Sequence, residues 1–228
     1  MLYIIATPIG NKLDISNRAL DVLSQIDYIL CESWVTGQYW KKNYASQAKL
    51  ILLNEHSTKK DLKLAIKLSL SPAKIALMSD QGTPLFADPG QELVKAVLTK
   101  VKDSSINTNL ITSLPGASSL MVALSLCPFN IKRFFYAGFL ARKSDARQQE
   151  IKRYSSLNCP IIIYDTPYRL STLVQDINKA LPSQTMCLLC LELTTDQEEI
   201  YLISVHELYK NFGCSRAKKR FVLIIDAK

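Results

Sequence analysis

Three short stretches hold most of the residues able to do chemistry. Asp80 and Gly82 lie in Ser79-Asp-Gln-Gly-Thr-Pro-Leu-Phe-Ala-Asp-Pro-Gly90, directly after an apolar run. Ser118 and Ser119 follow Leu114-Pro-Gly-Ala117, and Pro8 follows the apolar Leu2–Ala6. An aspartate after a strand can accept hydrogen bonds or offset positive charge. Gly82 and Gly90 allow a ligand to approach the backbone closely. Serines at a helix start sit beside free N–H groups that can receive a carboxylate or an adenine nitrogen. Together they suit a zwitterionic ligand with a cationic sulfur and a neutral adenine. Each also has a plain structural reading, Asp80 as a loop or cap residue and Ser118 as the first residue of a helix.

Other chemistries are poorly served. The glycines at 10, 37, 82, 90, 116, 138 and 213 never form Gly-x-Gly-x-x-Gly, so the usual dinucleotide turn is missing. There is no Gly-Lys-Ser/Thr for a P-loop and no Gly-x-Ser-x-Gly elbow. The two histidines, His56 and His206, are scattered. Cys187 and Cys190 form a Cys-x-x-Cys inside a strand-like run, where positions three apart point to opposite faces, so no metal site is expected. The six cysteines mostly lie in apolar stretches, which suits reduced, buried thiols.

The elements that would position these residues can be read from periodicity. Strands are predicted at Leu2–Ala6, Ile26–Cys31, Leu50–Leu53, Lys74–Met78 and Asn109–Leu114. Helices are predicted after Ser16, over Lys59–Leu70, over about Gln91–Val101, and from Ser118 onward. After Cys127-Pro-Phe129 the pattern restarts. Strands follow at Arg133–Gly138, Pro160–Tyr164, Thr185–Leu193, Ile200–Ile203 and Phe221–Ile225, with helices over Asp145–Tyr154, Leu170–Leu181 and from Val205. This rhythm makes an α/β protein of two domains, 1–125 and 126–228, with mostly parallel or mixed sheets. A ligand cleft is expected between the domains, because strand-end loops of such sheets bind ligands.

The net charge of +8 favours a polyanionic partner such as RNA, or reflects a merely basic surface. No apolar run is long enough for a membrane span and the N-terminus lacks a basic leader, so a cytoplasmic protein is expected.

The ordered motifs carry a resemblance. Leu2-Tyr-Ile-Ile-Ala-Thr-Pro-Ile-Gly-Asn11 with Asp14-Ile-Ser-Asn-Arg-Ala-Leu20 is similar to the opening of the ribosomal RNA small subunit methyltransferase I family. The loop from Ser79 to Gly90, Leu114–Ser118, Gly138–Leu140 with Arg142-Lys143, Tyr164-x-x-Pro-x-Arg169 and Glu192-Leu-Thr194 resemble that family's motifs in order. The family belongs to the tetrapyrrole methylase superfamily and methylates a cytidine ribose 2′-oxygen in 16S rRNA. The resemblance implies a homodimer of paired α/β domains with S-adenosyl-L-methionine between them. It implies that Pro8 borders the cofactor, Asp80 holds its polar part, Phe86 flanks it, and Ser118 and Ser119 line its methionine or adenosine side. Asp165, Thr166, Leu193 and Thr194 would form the second domain's edge. Arg18, Glu55 and His56 match family positions near the open side.

A ribose hydroxyl is a poor nucleophile, so a base or strong positioning is needed, and Glu32, Glu55 and His56 are the candidates. Glu32 reads equally as a strand-end carboxylate paired with Arg18, and His56 as a surface loop residue. Two departures stand out. The family's Glu-Asp-Thr-Arg is here Glu32-Ser-Trp-Val35, and full-length members continue into a small helical domain where this chain stops at Lys228. Trp34, Tyr39, Trp40 and Tyr44 with Lys41 and Lys42 read as an RNA-stacking cluster or as a partly buried helix. The runs around Arg142-Lys143 with Arg147, and from Arg216 to Arg220, read most simply as solvated faces. The expected function is thus an S-adenosylmethionine-dependent rRNA methyltransferase. Alternatives are a tetrapyrrole or other small-molecule methyltransferase, or a non-catalytic cofactor- or RNA-binding paralogue.

Overall fold

A computed structural model describes residues 1–86, 90–103, 110–216 and 218–227, with the side chains of 101–103 excepted. The chain divides into two compact units, Met1–Ser118 and Ser119–Lys228. The division falls just before the helix Ser119–Ser125 rather than just after it, because that helix packs on a strand of the second unit.

The first unit strings together β1 (Leu2–Ile5), α1 (Asn17–Leu23), β2 (Tyr28–Cys31), α2 (Trp34–Tyr44), β3 (Lys49–Leu52), α3 (Lys59–Ser69), β4 (Ile75–Met78), α4 (Gln91–Asp103) and β5 (Ile111–Leu114). Its five strands are all parallel, in the order β3-β2-β4-β1-β5. β4 is buried at every position, as expected of a central strand covered on both faces. Apolar side chains on the two faces form separate cores, one around Leu23, Ile29 and Trp40, the other around Leu30, Leu77 and Leu93. The helix starts follow their caps. The Ser16 hydroxyl accepts from the Ala19 N–H, and Thr58 forms a reciprocal capping box with Asp61. Asn109, the expected first residue of the fifth strand, lies outside the described residues, as do Asp88 and Pro89 of the glycine-bounded loop and Ala217 of the basic run.

The second unit comprises α5 (Ser119–Ser125), β6 (Phe135–Phe139), α6 (Ser144–Ser155), β7 (Ile161–Asp165), a short 3₁₀ turn (Pro167–Arg169), α7 (Leu170–Ala180), β8 (Met186–Leu191), β9 (Glu199–Ser204), α8 (Val205–Phe212) and β10 (Phe221–Ile225). The sheet order is β6-β7-β10-β8-β9, with β6 and β7 parallel and the other pairings antiparallel. Helices α6, α7 and α8 pack on this sheet over a core that includes Ile163, Leu173, Leu189 and Leu223. Cys187 and Cys190 lie on β8 with opposite orientation, and burial pushes both thiols up to about 12. Both therefore stay protonated, which suits packing rather than nucleophilic or ligand chemistry. Among the described residues no helix is long and apolar enough to cross a membrane.

The aromatic run after β2 forms α2. Trp40 is 4% exposed and packs against Tyr39 and Tyr44, with ring centroids 5.1 and 5.5 Å apart. Gly37 faces the sheet, since a Cβ there would lie 2.5 Å from Cys31 Sγ. The stacking reading therefore fails for Trp40, and the packed-helix reading holds. Trp34, 52% exposed, stands apart from that packing.

Candidate functional site

In the first unit the loops after β1, β4 and β5 interlock at the carboxyl edge of the sheet. Thr7 and Gly82 exchange backbone hydrogen bonds of 2.9 and 3.0 Å, an isolated bridge between the first and fourth strand-end loops. The buried Thr7 hydroxyl donates to the Ser79 carbonyl at 3.3 Å, and the Thr83 hydroxyl donates to Ala117 O at 3.1 Å. Gly82 has φ of +79°, which only glycine adopts without strain. A Cβ on Gly116 would sit 2.8 Å from that of Ala6, so the last loop lies directly on the first. Pro8, Asp80 and Ser118 are thereby held on adjoining loops of β1, β4 and β5, with Pro8 and Ser118 half-buried and Asp80 exposed. Phe86 lies farther along the β4 loop and is 36% exposed.

Asp80 is tied to the end of β2. The Ser33 hydroxyl donates to Asp80 Oδ1 at 2.8 Å, and the Asp80 N–H donates to Glu32 Oε2 at 3.2 Å. Asn54, after β3, donates from its side chain to the Glu32 carbonyl at 3.1 Å. Ser33 also caps α2, its oxygen accepting from the Thr36 N–H at 3.3 Å. The Cys31 thiol below this network is pushed up to about 11, by burial first and then by the Asp80 charge. Glu32 is thus engaged by the backbone of Asp80, and it forms no ion pair with Arg18 among the described residues. Arg18 itself is exposed on α1. Glu55 and His56 lie 3.5 Å apart in the turn after β3, with 83% of each side chain exposed. The structure brings Glu32 and Asp80 together and leaves Glu55, His56 and Arg18 as surface residues.

The second unit carries its own strand-end cluster. Ser119, first residue of α5, shares a hydrogen bond of 2.6 Å with the Tyr164 hydroxyl. Burial raises the Tyr164 pKa. Asp165 ends β7 with its side chain fully enclosed. Its Oδ1 accepts from the Thr166 N–H at 2.7 Å and faces Arg169 at 3.3 Å, while Oδ2 is buried without a partner. Burial pushes its pKa up, against the Thr166 N–H and the charges of Arg169 and Arg147. Thr166 is exposed. After β8, Glu192 and Thr194 hold positive φ of +45° and +64°. This turn is fixed by Glu192, which accepts from the Arg220 backbone and guanidinium at 2.6 and 2.9 Å, and by Glu198, which accepts from the Thr194 N–H at 2.7 Å. Leu193 between them is buried. Such over-determined left-handed residues cost on the order of 1–3 kcal/mol each and concentrate at functional turns.

The solvated-face reading fails for Arg147, which is 4% exposed. Its Nε donates to Asp176 Oδ2 at 2.8 Å. Burial opposes the Asp176 charge, but hydrogen bonds from Ser144, Gln148 and Arg147 and the Arg147 charge outweigh it and hold the pKa below the usual range. Arg142 and Lys143 are exposed as expected. Sequence reasoning missed Ser33, Asn54, Thr7 and Thr83, whose roles come from distant partners. Thr83 is the exception in principle, since its place one residue after Gly82 marks it as a loop anchor.

Among the described residues no cluster of three His, Cys, Asp or Glu could hold a metal. Comparison with known families matches residues 1–209 to the Tetrapyrrole (Corrin/Porphyrin) Methylases. The ribosomal RNA small subunit methyltransferase I of Pasteurella multocida (strain Pm70) is 32% identical, over 100% of this chain and 79% of its own. Among solved structures, the methyltransferase CobJ superposes with a TM-score of 0.69 at 11% identity, covering 98% of this chain and 92% of the other. The uroporphyrin-III C-methyl transferase from Thermus thermophilus, complexed with S-adenyl homocysteine, gives 0.62 at 12% identity, covering 99% and 97%. At these identities the structural likeness speaks for the fold.

Proposed function

The chain belongs to the tetrapyrrole methylase family, and from that premise we propose that it methylates the 2′-oxygen of a cytidine ribose in 16S rRNA. It is an S-adenosylmethionine-dependent methyltransferase. The observation that carries the reading is Asp80, held by Ser33 and Glu32 where three interlocked strand-end loops meet, in a chain related throughout its length to rRNA methyltransferases.

The donor set fits this cofactor. Ser33 engages one oxygen of Asp80, and the exposed carboxylate can accept from an ammonium or hydroxyl group. Gly82 and Gly116 keep the loop backbone free of side chains at its closest approaches. Pro8, Phe86 and Ser118 would border the bound molecule. Contacts from Ser119, Asp165, Thr166, Leu193 and Thr194 are proposed on family position, and the bare Asp165 Oδ2 suits a hydroxyl or amino donor. The cofactor supplies an activated methyl group, so the protein's main task is orientation, worth roughly 7–11 kcal/mol in favourable intramolecular cases. Glu32, whose carboxylate accepts the Asp80 N–H, is the proposed proton acceptor for the ribose hydroxyl, with Arg18, Glu55 and His56 offered as contacts to the acceptor. The homodimeric state, the small ribosomal subunit as partner and a cytoplasmic site of action belong to the same proposal.

Transfer of tritiated methyl groups to small ribosomal subunits from a strain lacking this modification tests it. Incorporation at a cytidine ribose is expected. Cofactor binding by calorimetry without any incorporation would sink the rRNA reading. It would favour a non-catalytic paralogue, a reading motivated by Ser33-Trp-Val35 standing where the family has Asp-Thr-Arg.

A further inference from the structure

The turn after β6 is braced more heavily than a connection requires. Leu140, Ala141 and Arg142 lie outside any helix or strand, yet two guanidiniums take all three carbonyls. Arg169 donates to Leu140 O at 3.1 Å and Ala141 O at 2.8 Å, and Arg147 donates to Ala141 O and Arg142 O at 3.0 Å each. The Glu150 carboxylate accepts the Ala141 N–H at 2.8 Å. Arg147 is itself buried against Asp176. A buried ion pair adds little net stability over an apolar replacement, because desolvation offsets the attraction. What this one supplies is a rigid backbone. The side chains borne by that backbone, Arg142 and Lys143, are exposed, and Phe139 just before them is 52% exposed. A bulge between Tyr136 and Gly138, with Gly138 at φ of +63°, redirects the end of β6, an edge strand, immediately ahead of the turn.

We infer that this braced turn grips the acceptor RNA, with Arg142 and Lys143 neutralising backbone phosphates and the Phe139 ring stacking on an unpaired base. The inference rests on the rRNA acceptor proposed above. Cations on a fixed turn lose less freedom on binding than cations on a loose one, so the bracing favours the contact. The chain's excess of Lys and Arg suits a polyanion, and an exposed aromatic beside paired cations suits single-stranded RNA.

The test compares Arg142→Glu/Lys143→Glu with a control of equal charge change, Lys59→Glu/Lys60→Glu, at the exposed start of α3. The probes are 16S rRNA in filter binding across a KCl series and small ribosomal subunits in methyl transfer. The first variant should reduce the slope of log affinity against log salt by about 1.5, the loss of two phosphate contacts. It should raise KM at least about tenfold with kcat and calorimetric cofactor binding near wild type, the mark of lost ground-state contact. Phe139→Ala should weaken binding without changing the slope, and Asp145→Asn, removing the exposed acid at the start of α6, should tighten it. The inference is overturned if wild type methylates the subunits and the turn variant behaves like the control. Absence of wild-type methylation with cofactor binding intact would take down the rRNA reading and this inference together.

Discussion

The hydroxyl of Ser33 donates to one oxygen of Asp80, so a neutral partner orients the carboxylate. A hydrogen bond to a charged group is worth about 1.5–3 kcal/mol. Asp80→Ala should therefore weaken S-adenosylmethionine binding by about ten- to a hundredfold in calorimetry, with little change in melting temperature because Asp80 is exposed. Ser33→Ala should weaken it less, while costing some stability as the cap of α2 is lost. Asp165 presents the opposite case, a carboxyl whose ionisation burial resists. A raised folded-state pKa stabilises the protein below the unfolded value and loses that contribution as pH rises through the folded value. Asp165→Asn stays neutral throughout. Its melting temperature relative to wild type should thus improve as pH rises through the ordinary carboxylate range and above it; a pH-independent difference would show that Asp165 titrates normally.

At the scale of elements, two packing contacts decide whether the loops stay in place. Gly116 lies on Ala6, and the added methyl of Gly116→Ala would meet a Cβ on the rigid end of β1. Overpacking of this sort costs about 1–3 kcal/mol, and the shifted loop should bind cofactor more weakly at temperatures where the variant remains folded. The clamp of α6 on α7 through Arg147 and Asp176 is the second contact. Arg147→Met strands a buried carboxylate and should cost about 3–5 kcal/mol in urea unfolding. The double variant Arg147→Met/Asp176→Leu should recover part of that loss, since the uncompensated charge is gone. Asp176 is held below its ordinary range, so its contribution is present above the unfolded value and fades as pH falls through the folded one.

For the whole molecule, the parallel sheet of the first unit and the mixed sheet of the second assign different work to each half. The first offers adjoining strand ends, where ligands of open α/β sheets bind. The second offers rigid turns held by Glu192 with Arg220 and by Arg147 with Arg169. Sedimentation equilibrium should return twice the 25.6 kDa chain mass if the proposed homodimer forms; a single chain mass at micromolar concentration would rule that out.

From sequence alone, local physics determined the strands, most helices and the loops with chemical promise. Alternation, caps and glycine punctuation act between neighbours, so β1, β4, β10 and the Ser16 cap were legible. The ordered motifs identified the family. Tertiary structure alone decided which polar residues meet, because those partners are far apart along the chain. Ser33 and Asp80, far apart in sequence, meet because the strand order places β4 beside β2, and Arg147 reaches Asp176 only once α6 packs on α7. The same physics turned Trp40 inward and made Arg147 a buried strut. A basic or aromatic run in sequence does not reveal its burial, since that depends on what the fold lays against it.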